Sequence, residues 1–181
     1  MSERRHIKLV VVGDGFVQCP FIVVLDDKPY PERYNPEKIV NYTKEILINN
    51  VLYAVHIWNT LGKDEFDRLR PLSYCGANVI LLLFSLSSKS SFSNLDDYWI
   101  REAKFYCRDA KILLIGTDID LRETGNPNHV TDQEAEQFVK EHECAAYIPC
   151  SPKTGEGIDK ILPAAVQAFE TPPKKEWCLI C

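Results

Sequence analysis

Short, unbroken apolar runs alternate along this chain with segments of helical spacing. Residues 7–12 (Ile-Lys-Leu-Val-Val-Val) are too β-branched and too few for a helix, so they predict a buried central strand. Residues 78–84 and 111–116 are continuously apolar in the same way, which is typical of parallel strands covered on both faces. Two strand-like runs, 43–49 and 51–58, meet at an Asn-Asn pair and predict a β-hairpin.

Helical patterns follow most of these strands. Residues 90–106 carry large apolar side chains at helical spacing after a serine-rich start. Thr131 and Glu134 form a capping-box pattern that predicts a helix through about His142. A last strand is expected over 146–150 and a last helix over 157–169. Strands alternating with helices predict an α/β fold: a mostly parallel sheet with helices on both faces.

Composition limits the class of protein. The 181 residues, 45% of them apolar, suffice for one domain, which we place at 1–170; the Pro-Pro pair at 172–173 ends it, so residues 171–181 should form a flexible tail. A net charge of -5 argues against a nucleic-acid surface. Seven cysteines, an odd number, favour a reducing compartment over a disulfide framework. No signal sequence or long apolar run is visible, so we expect a cytoplasmic protein.

The most specific motif is the stretch 58–74, Trp-Asn-Thr-Leu-Gly-Lys-Asp-Glu-Phe-Asp-Arg-Leu-Arg-Pro-Leu-Ser-Tyr. It resembles the second switch of the Rho and Rac small GTPases, which reads Trp-Asp-Thr-Ala-Gly-Gln-Glu, an aromatic residue and Asp-Arg-Leu-Arg-Pro-Leu-Ser-Tyr. Residues 8–17 resemble that family's first strand and phosphate loop, 116–122 its guanine-reading loop and 150–154 its last base contact. The resemblance implies a Ras-like P-loop fold with a six-stranded, mostly parallel sheet.

The phosphate loop departs from the family pattern Gly-x4-Gly-Lys-Ser/Thr, in which backbone N–H groups, a lysine and a hydroxyl hold phosphate and magnesium. Residues 13–20 read Gly-Asp-Gly-Phe-Val-Gln-Cys-Pro. Gln18 places a side chain where the backbone must approach phosphate, and Cys19 lacks the lysine's charge. Pro20 has neither hydroxyl nor N–H, although proline is tolerated in the first turn of a helix. We expect the fold to persist and the phosphate site to be lost.

The resemblance implies parallel losses elsewhere. Glu37 replaces the threonine that holds magnesium in the family, and Asn59 replaces an aspartate of the magnesium shell. Lys63 replaces the glutamine that orients the attacking water. Asp118 replaces a lysine, and Pro152 replaces an alanine whose N–H contacts guanine. Since a charged hydrogen bond contributes about 1.5–3 kcal/mol, five losses remove on the order of 7 kcal/mol of binding free energy. No catalytic residue, metal ligand or cofactor is therefore expected.

Some positions still match the family and would form a vestigial nucleotide site: Gly13, Gly15, Gly62, Thr117, Asp120, Ser151 and Lys153. For the glycines, a second reading is that they are tight turns kept for the fold. The carboxylate of Asp120 is the one specific guanine reader among them, or alternatively a group that stabilises its loop. If nucleotide binding persists, GTP or GDP with magnesium is the cofactor.

Partner contacts are implied at positions that match the family's switch surface: Tyr34, Trp58, Arg68, Leu69, Pro71 and Leu72. Leu69 and Leu72 lie at helical spacing, so packing on the sheet is the alternative. The loop between Arg122 and Thr131 is too short for the extra helix that most Rho proteins carry there.

Two cysteine positions invite chemical interpretation. Cys19, near an expected helix N-terminus, is either a reactive thiol or, as we favour, a small buried apolar residue. The end Cys178-Leu-Ile-Cys is either a redox pair or a C-a-a-X prenylation signal, and its place at the tip of a tail favours the second. Prenylation of Cys178 would attach the chain reversibly to the cytoplasmic face of a membrane.

Three functions remain open from sequence. The first is a membrane-tethered, Rho-like protein-interaction module with weak or absent GTP binding and hydrolysis. The second is an atypical Rho GTPase in cytoskeletal signalling that binds GTP and hydrolyses it slowly. The third is a soluble competitor that sequesters Rho exchange factors or chaperones and needs no lipid.

Overall fold

A computed structural model of the protein describes residues 4–32, 41–60 and 70–172. Its strands are β1 (Arg4–Gly13), β2 (Tyr42–Ile48), β3 (Val51–Asn59), β4 (Val79–Ser85), β5 (Lys111–Thr117) and β6 (Ala146–Pro149). Its helices are α1 (Gly15–Leu25), α2 (Arg70–Tyr74), α3 (Lys89–Asn94), α4 (Ile100–Tyr106), α5 (Asp132–His142) and α6 (Ile161–Glu170). A π-helical turn, Leu95–Trp99, joins α3 to α4, and 3-10 turns cover Ile119–Leu121 and Ile158–Lys160.

The six strands form one sheet in the order β2-β3-β1-β4-β5-β6. The β2–β3 pair is antiparallel and the other pairs are parallel. This confirms the predicted fold class, including the hairpin. Because β1, β3, β4, β5 and β6 run in the same direction, the loops that follow them emerge along one edge of the sheet, where ligands of open α/β folds bind.

Both faces of the sheet are covered, which explains the continuous apolar strands. On one face, α1 and α6 pack against side chains such as Leu9 and Leu81. On the other, α4 and α5 contribute Ala103 and Phe138 to a second apolar layer. The strand periodicity of two thus sends alternate residues of β1 and β4 into different layers.

Several local predictions are confirmed. The Thr131 hydroxyl accepts a hydrogen bond from the Glu134 N–H, and the Glu134 carboxylate accepts one from the Thr131 N–H, so α5 begins with a capping box. Hydrogen bonds from Lys89 and Thr131 lower the pKa of Glu134 to about 2. Residues 122–131 contain no helix, as expected.

The predicted helix over 90–106 is interrupted by the π-helical turn. A π turn inserts an extra residue into the α-helical repeat and is common at functional sites. Here it contains Trp99, whose indole N–H reaches the loop after β1.

Across the described residues, no helix combines the length and apolarity that a bilayer span requires.

Candidate functional site

The predicted nucleotide-site segments meet at the edge where the parallel strands end. The chain leaving β3 lies beside the end of β1, because the Thr60 N–H and hydroxyl both donate to the carbonyl of Val11, at 3.3 and 2.6 Å. The loops after β5 and β6 are joined by the Ile119 N–H, which donates to the carbonyl of Cys150 at 3.1 Å. The structure therefore assembles the framework that the sequence indicated.

Helix α1 begins earlier than expected. The N–H groups of Val17 and Gln18 donate to the carbonyl oxygen of Asp14 at 2.9 and 3.1 Å, which starts the helix at Gly15. Placing Cys19 at the helix N-terminus and Pro20 in its first turn was therefore wrong, since both lie beyond the first turn. In a phosphate loop, such N–H groups point at the bound anion. Here two of them donate hydrogen bonds inside the helix instead.

The side chain of Gln18 fills space beside this helix start. It is only 2% exposed, and its amide nitrogen donates to the Gly13 carbonyl at 2.7 Å. Within the part of the chain that the structure describes, its amide oxygen has no hydrogen-bond partner. A buried acceptor without a partner costs about 1–3 kcal/mol. The family pattern has a glycine at this position, where the backbone approaches phosphate closely. Gln18 instead places a buried hydrogen-bond acceptor there.

Asp14 adds a fixed negative charge to the same loop. Its two carboxylate oxygens accept hydrogen bonds from the Trp99 indole N–H at 2.9 Å and the Asn94 amide at 3.0 Å. Sequence reasoning did not find this link, because the partners are 80 and 85 residues away and no local pattern joins them. The carboxylate holds the loop against the π-helical turn.

Gly13 is required by the fold. Its φ of +145° is one that side chains rarely adopt, and a Cβ there would lie 2.5 Å from the Leu83 carbonyl oxygen on β4. This agrees with the reading in which Gly13 is kept for the fold rather than for contact with a ligand. Gly15 is simply the first residue of α1.

Replacing Gly13 with alanine should lower the free energy of unfolding by at least about 2 kcal/mol, because strained backbone and a steric clash combine. Gly125→Ala is the matched control, since Gly125 also has positive φ, +82°, but no atom of the described residues lies within 4 Å of its Cβ position. Urea unfolding of both variants measures the difference. Equal losses would show that the contact with Leu83 is unimportant.

The segment that resembles a guanine-reading loop is folded inward at Asp118. Its backbone adopts the left-handed conformation, with φ of +60°. Its carboxylate accepts hydrogen bonds from the Ser85 hydroxyl at 2.5 Å and the Thr117 hydroxyl at 3.1 Å. Thr117 is buried, and its hydroxyl also lies 3.2 Å from the Phe84 carbonyl. Both side chains therefore stabilise the ends of β4 and β5.

Two vestigial side chains remain on the surface. Asp120 is exposed, and no donor among the described residues bonds its carboxylate, so the structure gives no support to its loop-stabilising role. Lys153 is also exposed, whereas Ser151 is buried and its hydroxyl accepts from the Thr154 N–H at 3.1 Å. Burial and the nearby Asp118 and Asp120 carboxylates raise the pKa of Tyr30. The Tyr30 phenol therefore lies near the same loop.

At the magnesium-side positions, Asn59 is buried, and no described residue donates a hydrogen bond to its amide oxygen. Its N–H donates to the Asn41 side chain at 3.2 Å. Gly62, with Glu37 and Lys63, lies outside the described residues. The predicted burial of Cys19 is only partly met, because this residue is half-buried.

The expected partner surface is partly described. Leu72 is 70% exposed, so the alternative in which it packs on the sheet is wrong. Pro71 is half-buried, and the Trp58 ring is half-buried beneath the Lys8 ammonium, 4.1 Å from the ring centroid. Three of the predicted partner-surface residues lie outside the described ranges, namely Tyr34, Arg68 and Leu69, and so does the predicted lipidation site, Cys178.

A buried ion pair supports this surface, and sequence reasoning missed it. Arg70 donates two hydrogen bonds of 2.6 Å to Glu102 on α4, and the Tyr74 hydroxyl donates a third of 2.6 Å. The Arg70 guanidinium also lies 4.9 Å from the Trp99 ring centroid. Burial and the bond to Glu102 raise the pKa of Tyr74 well above its usual range. The cluster joins α2 to α4 beside the loop that Asp14 holds.

With this geometry in view, the chain can be compared with known families. A sequence model of the Ras family matches residues 8–171. The chain belongs to the Ras family. Domains of this family typically bind GTP or GDP with magnesium and act in signalling through regulators and effectors. The match confirms the predicted small-GTPase relationship and the Ras-like fold.

Proposed function

We propose that this Ras-family chain is a Rho-like protein-interaction module whose GTP binding and hydrolysis are weak or absent. The observation that carries the proposal is that the donors of this loop already have acceptors within the protein. The backbone N–H groups of Val17 and Gln18 donate to the Asp14 carbonyl, and the side-chain amide of Gln18 donates to the Gly13 carbonyl. A polyphosphate needs free donors at this position. Each would have to be released from an existing bond before it met a phosphate.

The charge of the site supports the same proposal. The Asp14 carboxylate lies at the start of α1, and Asp118 stands where the family has a lysine. Among the described residues, no donor bonds the amide oxygen of buried Gln18 or that of buried Asn59. Acceptors and carboxylates repel phosphate oxygens, and the positions of Cys19 and Pro20 supply neither the lysine nor the hydroxyl that would compensate.

One observation favours the rival function, an atypical GTPase that binds GTP and hydrolyses it slowly. Asp120 is exposed and makes no hydrogen bond to the described residues, so its carboxylate is free to accept from a guanine base. One base contact contributes about 1.5–3 kcal/mol, less than the phosphate and magnesium contacts that are missing.

Titration calorimetry of the full chain with GDP and GTP, with and without magnesium, tests the proposal. We expect no heat of binding at micromolar concentrations and no effect of magnesium. Asp120→Ala is the matched variant, because it removes the remaining base reader without touching the phosphate loop. Micromolar binding that Asp120→Ala abolishes would favour the rival function.

The interaction surface that we propose centres on α2. Leu72 is 70% exposed, and α4 nearby exposes Phe105 at 72% together with Tyr106, whose ring stacks on that of Tyr74. Exposed aromatic and apolar residues of this kind are enriched at protein interfaces. The partners would be proteins that recognise Rho-type switch surfaces, which also include Trp58, Arg68 and Leu69.

We also propose reversible attachment to the cytoplasmic face of a membrane through prenylated Cys178. A single lipid chain with only Lys174 and Lys175 beside it gives weak binding. Cys178→Ser should therefore move the membrane fraction of the protein entirely into the cytosol on cell fractionation. Cys181→Ser is the control, because it keeps the lipidated cysteine. An unchanged membrane fraction in Cys178→Ser would reject attachment and favour the soluble competitor.

A further inference from the structure

Two cysteines lie close together where α2 and α4 end. Cys75 follows the last residue of α2, and Cys107 is the C-cap of α4. The Cys107 thiol donates a hydrogen bond to the carbonyl oxygen of Tyr74, with 2.7 Å between sulfur and oxygen. That oxygen belongs to the peptide group shared with Cys75. Planar peptide geometry therefore keeps the Cys107 sulfur within about 5.5 Å of the Cys75 Cα.

The backbone at Cys75 forms a tight turn. The Ala77 N–H donates to the Tyr74 carbonyl at 2.9 Å, which places Cys75 and Gly76 at the two corners. Gly76 has φ of +70°, and none of the residues that the structure describes comes within 4 Å of its Cβ position. Cys75 itself is exposed. The turn therefore has open space around it for the small adjustment that would bring the two sulfurs together.

Exposure distinguishes Cys75 from the other described cysteines, since Cys19 and Cys107 are half-buried. The Lys8 ammonium donates to the Cys75 carbonyl at 2.7 Å, so a cation lies beside this turn. Burial raises the pKa of Cys107, against the opposing effects of the Ala77 N–H and Lys8. Cys144 and Cys150 are buried, with pKa raised by burial to about 11 and about 12. Cys75 is thus the first sulfur that an oxidant would meet.

We propose that Cys75 and Cys107 form a reversible intramolecular disulfide when the protein meets a hydroperoxide. The Cys75 thiolate attacks a peroxide oxygen, the O–O bond breaks, and a sulfenic acid forms as hydroxide leaves and takes up a proton. The Cys107 thiol then attacks that sulfur, the S–O bond breaks, and the S–S bond forms as water leaves. The sulfurs lose two electrons to the peroxide, and a dithiol reductant restores both thiols.

The bond would replace the hydrogen bond from Cys107 to Tyr74 with a covalent link between the ends of α2 and α4. Arg70 and Glu102 already join these two helices one turn away from Tyr74, so oxidation would strengthen an existing contact. Disulfide formation does not depend on whether the protein binds nucleotide. Its failure and the failure of the proposed function are therefore separate results.

Peptide mapping of the full-length protein tests this. The reduced protein, freed of reductant, is treated with an equimolar amount of hydrogen peroxide, alkylated and digested with trypsin without reduction. Cleavage after Lys104 and Arg108 releases Cys107 in the peptide 105–108. We expect most of this peptide to be linked to the peptide that carries Cys75, and dithiothreitol to separate them. Mapping the unaltered chain keeps the result independent of any variant.

Two variants and a trapping reagent complete the experiment. With Cys107→Ser, dimedone should label the sulfenic acid at Cys75, whereas Cys144→Ser should leave the link intact. Three results would overturn the proposal: stable dimedone labelling of Cys75 in the unaltered protein, Cys75 joined between two chains, or both thiols still reduced after the peroxide is consumed.

Discussion

Rebuilding the phosphate loop alone should not restore GTP hydrolysis. The triple variant Gln18→Gly, Cys19→Lys and Pro20→Thr returns the glycine, the charge and one magnesium ligand of the family pattern. It also removes the Gln18 amide that bonds to Gly13. We expect nucleotide affinity to reappear in part and single-turnover hydrolysis to stay at the uncatalysed level.

The physical reason is that the remaining losses lie in separate segments. The amide oxygen of buried Asn59 still has no partner in residues 4–32, 41–60 and 70–172, and the Asp118 carboxylate is still bonded to Ser85. Lys63, when charged, donates hydrogen bonds but cannot accept one from an attacking water as glutamine can. No single segment therefore determines whether the chain turns over GTP.

The control is the triple variant that also carries Glu37→Thr, Asn59→Asp and Lys63→Gln. It should hydrolyse GTP faster than the triple variant by at least about tenfold, since one oriented catalytic group contributes about that much or more. Family-like turnover by the triple variant alone would mean that the site is less altered than we infer, and would favour the slow GTPase.

Breaking the buried ion pair between α2 and α4 should give the largest loss of stability. The Arg70 side chain is 2% exposed and that of Glu102 is 16% exposed. Glu102→Ala removes the carboxylate that accepts two hydrogen bonds from Arg70 and one from the Tyr74 hydroxyl. Removing one partner of a buried pair typically costs about 3–5 kcal/mol. Urea unfolding should show a loss of that size.

An exposed pair in the same chain provides the comparison. Arg4 and Glu45 are 2.7 Å apart, and both side chains are 52% exposed. Solvent screens such pairs, so Glu45→Ala should cost less than about 1 kcal/mol. If the two variants lost similar free energy, the Arg70–Glu102 pair would not be the link between α2 and α4 that we describe.

The fold was largely predictable because its signals are local. Continuous apolar runs such as 111–116 can only be buried on both faces of a sheet, and the capping box at Thr131 is read within four residues. The start of α1 was misplaced for a different reason. The family pattern suggests a loop before Cys19. In the structure the Asp14 carbonyl accepts hydrogen bonds from two N–H groups, so the helix begins at Gly15.

The site was only partly predictable, because its important contacts join distant parts of the chain. The bond between Asp14 and Trp99 spans 85 residues, and that between Ser85 and Asp118 spans 33. Sequence identified the missing groups, such as the lysine at Cys19, since absence from a motif is visible in the motif itself. It did not show which side chains fill the space that those groups leave, and Gln18 gave no signal for this.

The most direct test of the central claim is the nucleotide content of the purified full-length protein. The protein is denatured with acid, and the supernatant is analysed by anion-exchange chromatography against GDP and GTP standards, with an active Ras-family GTPase prepared in parallel. We predict that the control releases about one nucleotide per chain and that this protein releases none above background. Stoichiometric GDP or GTP from this protein would contradict the claim that its phosphate site has been lost.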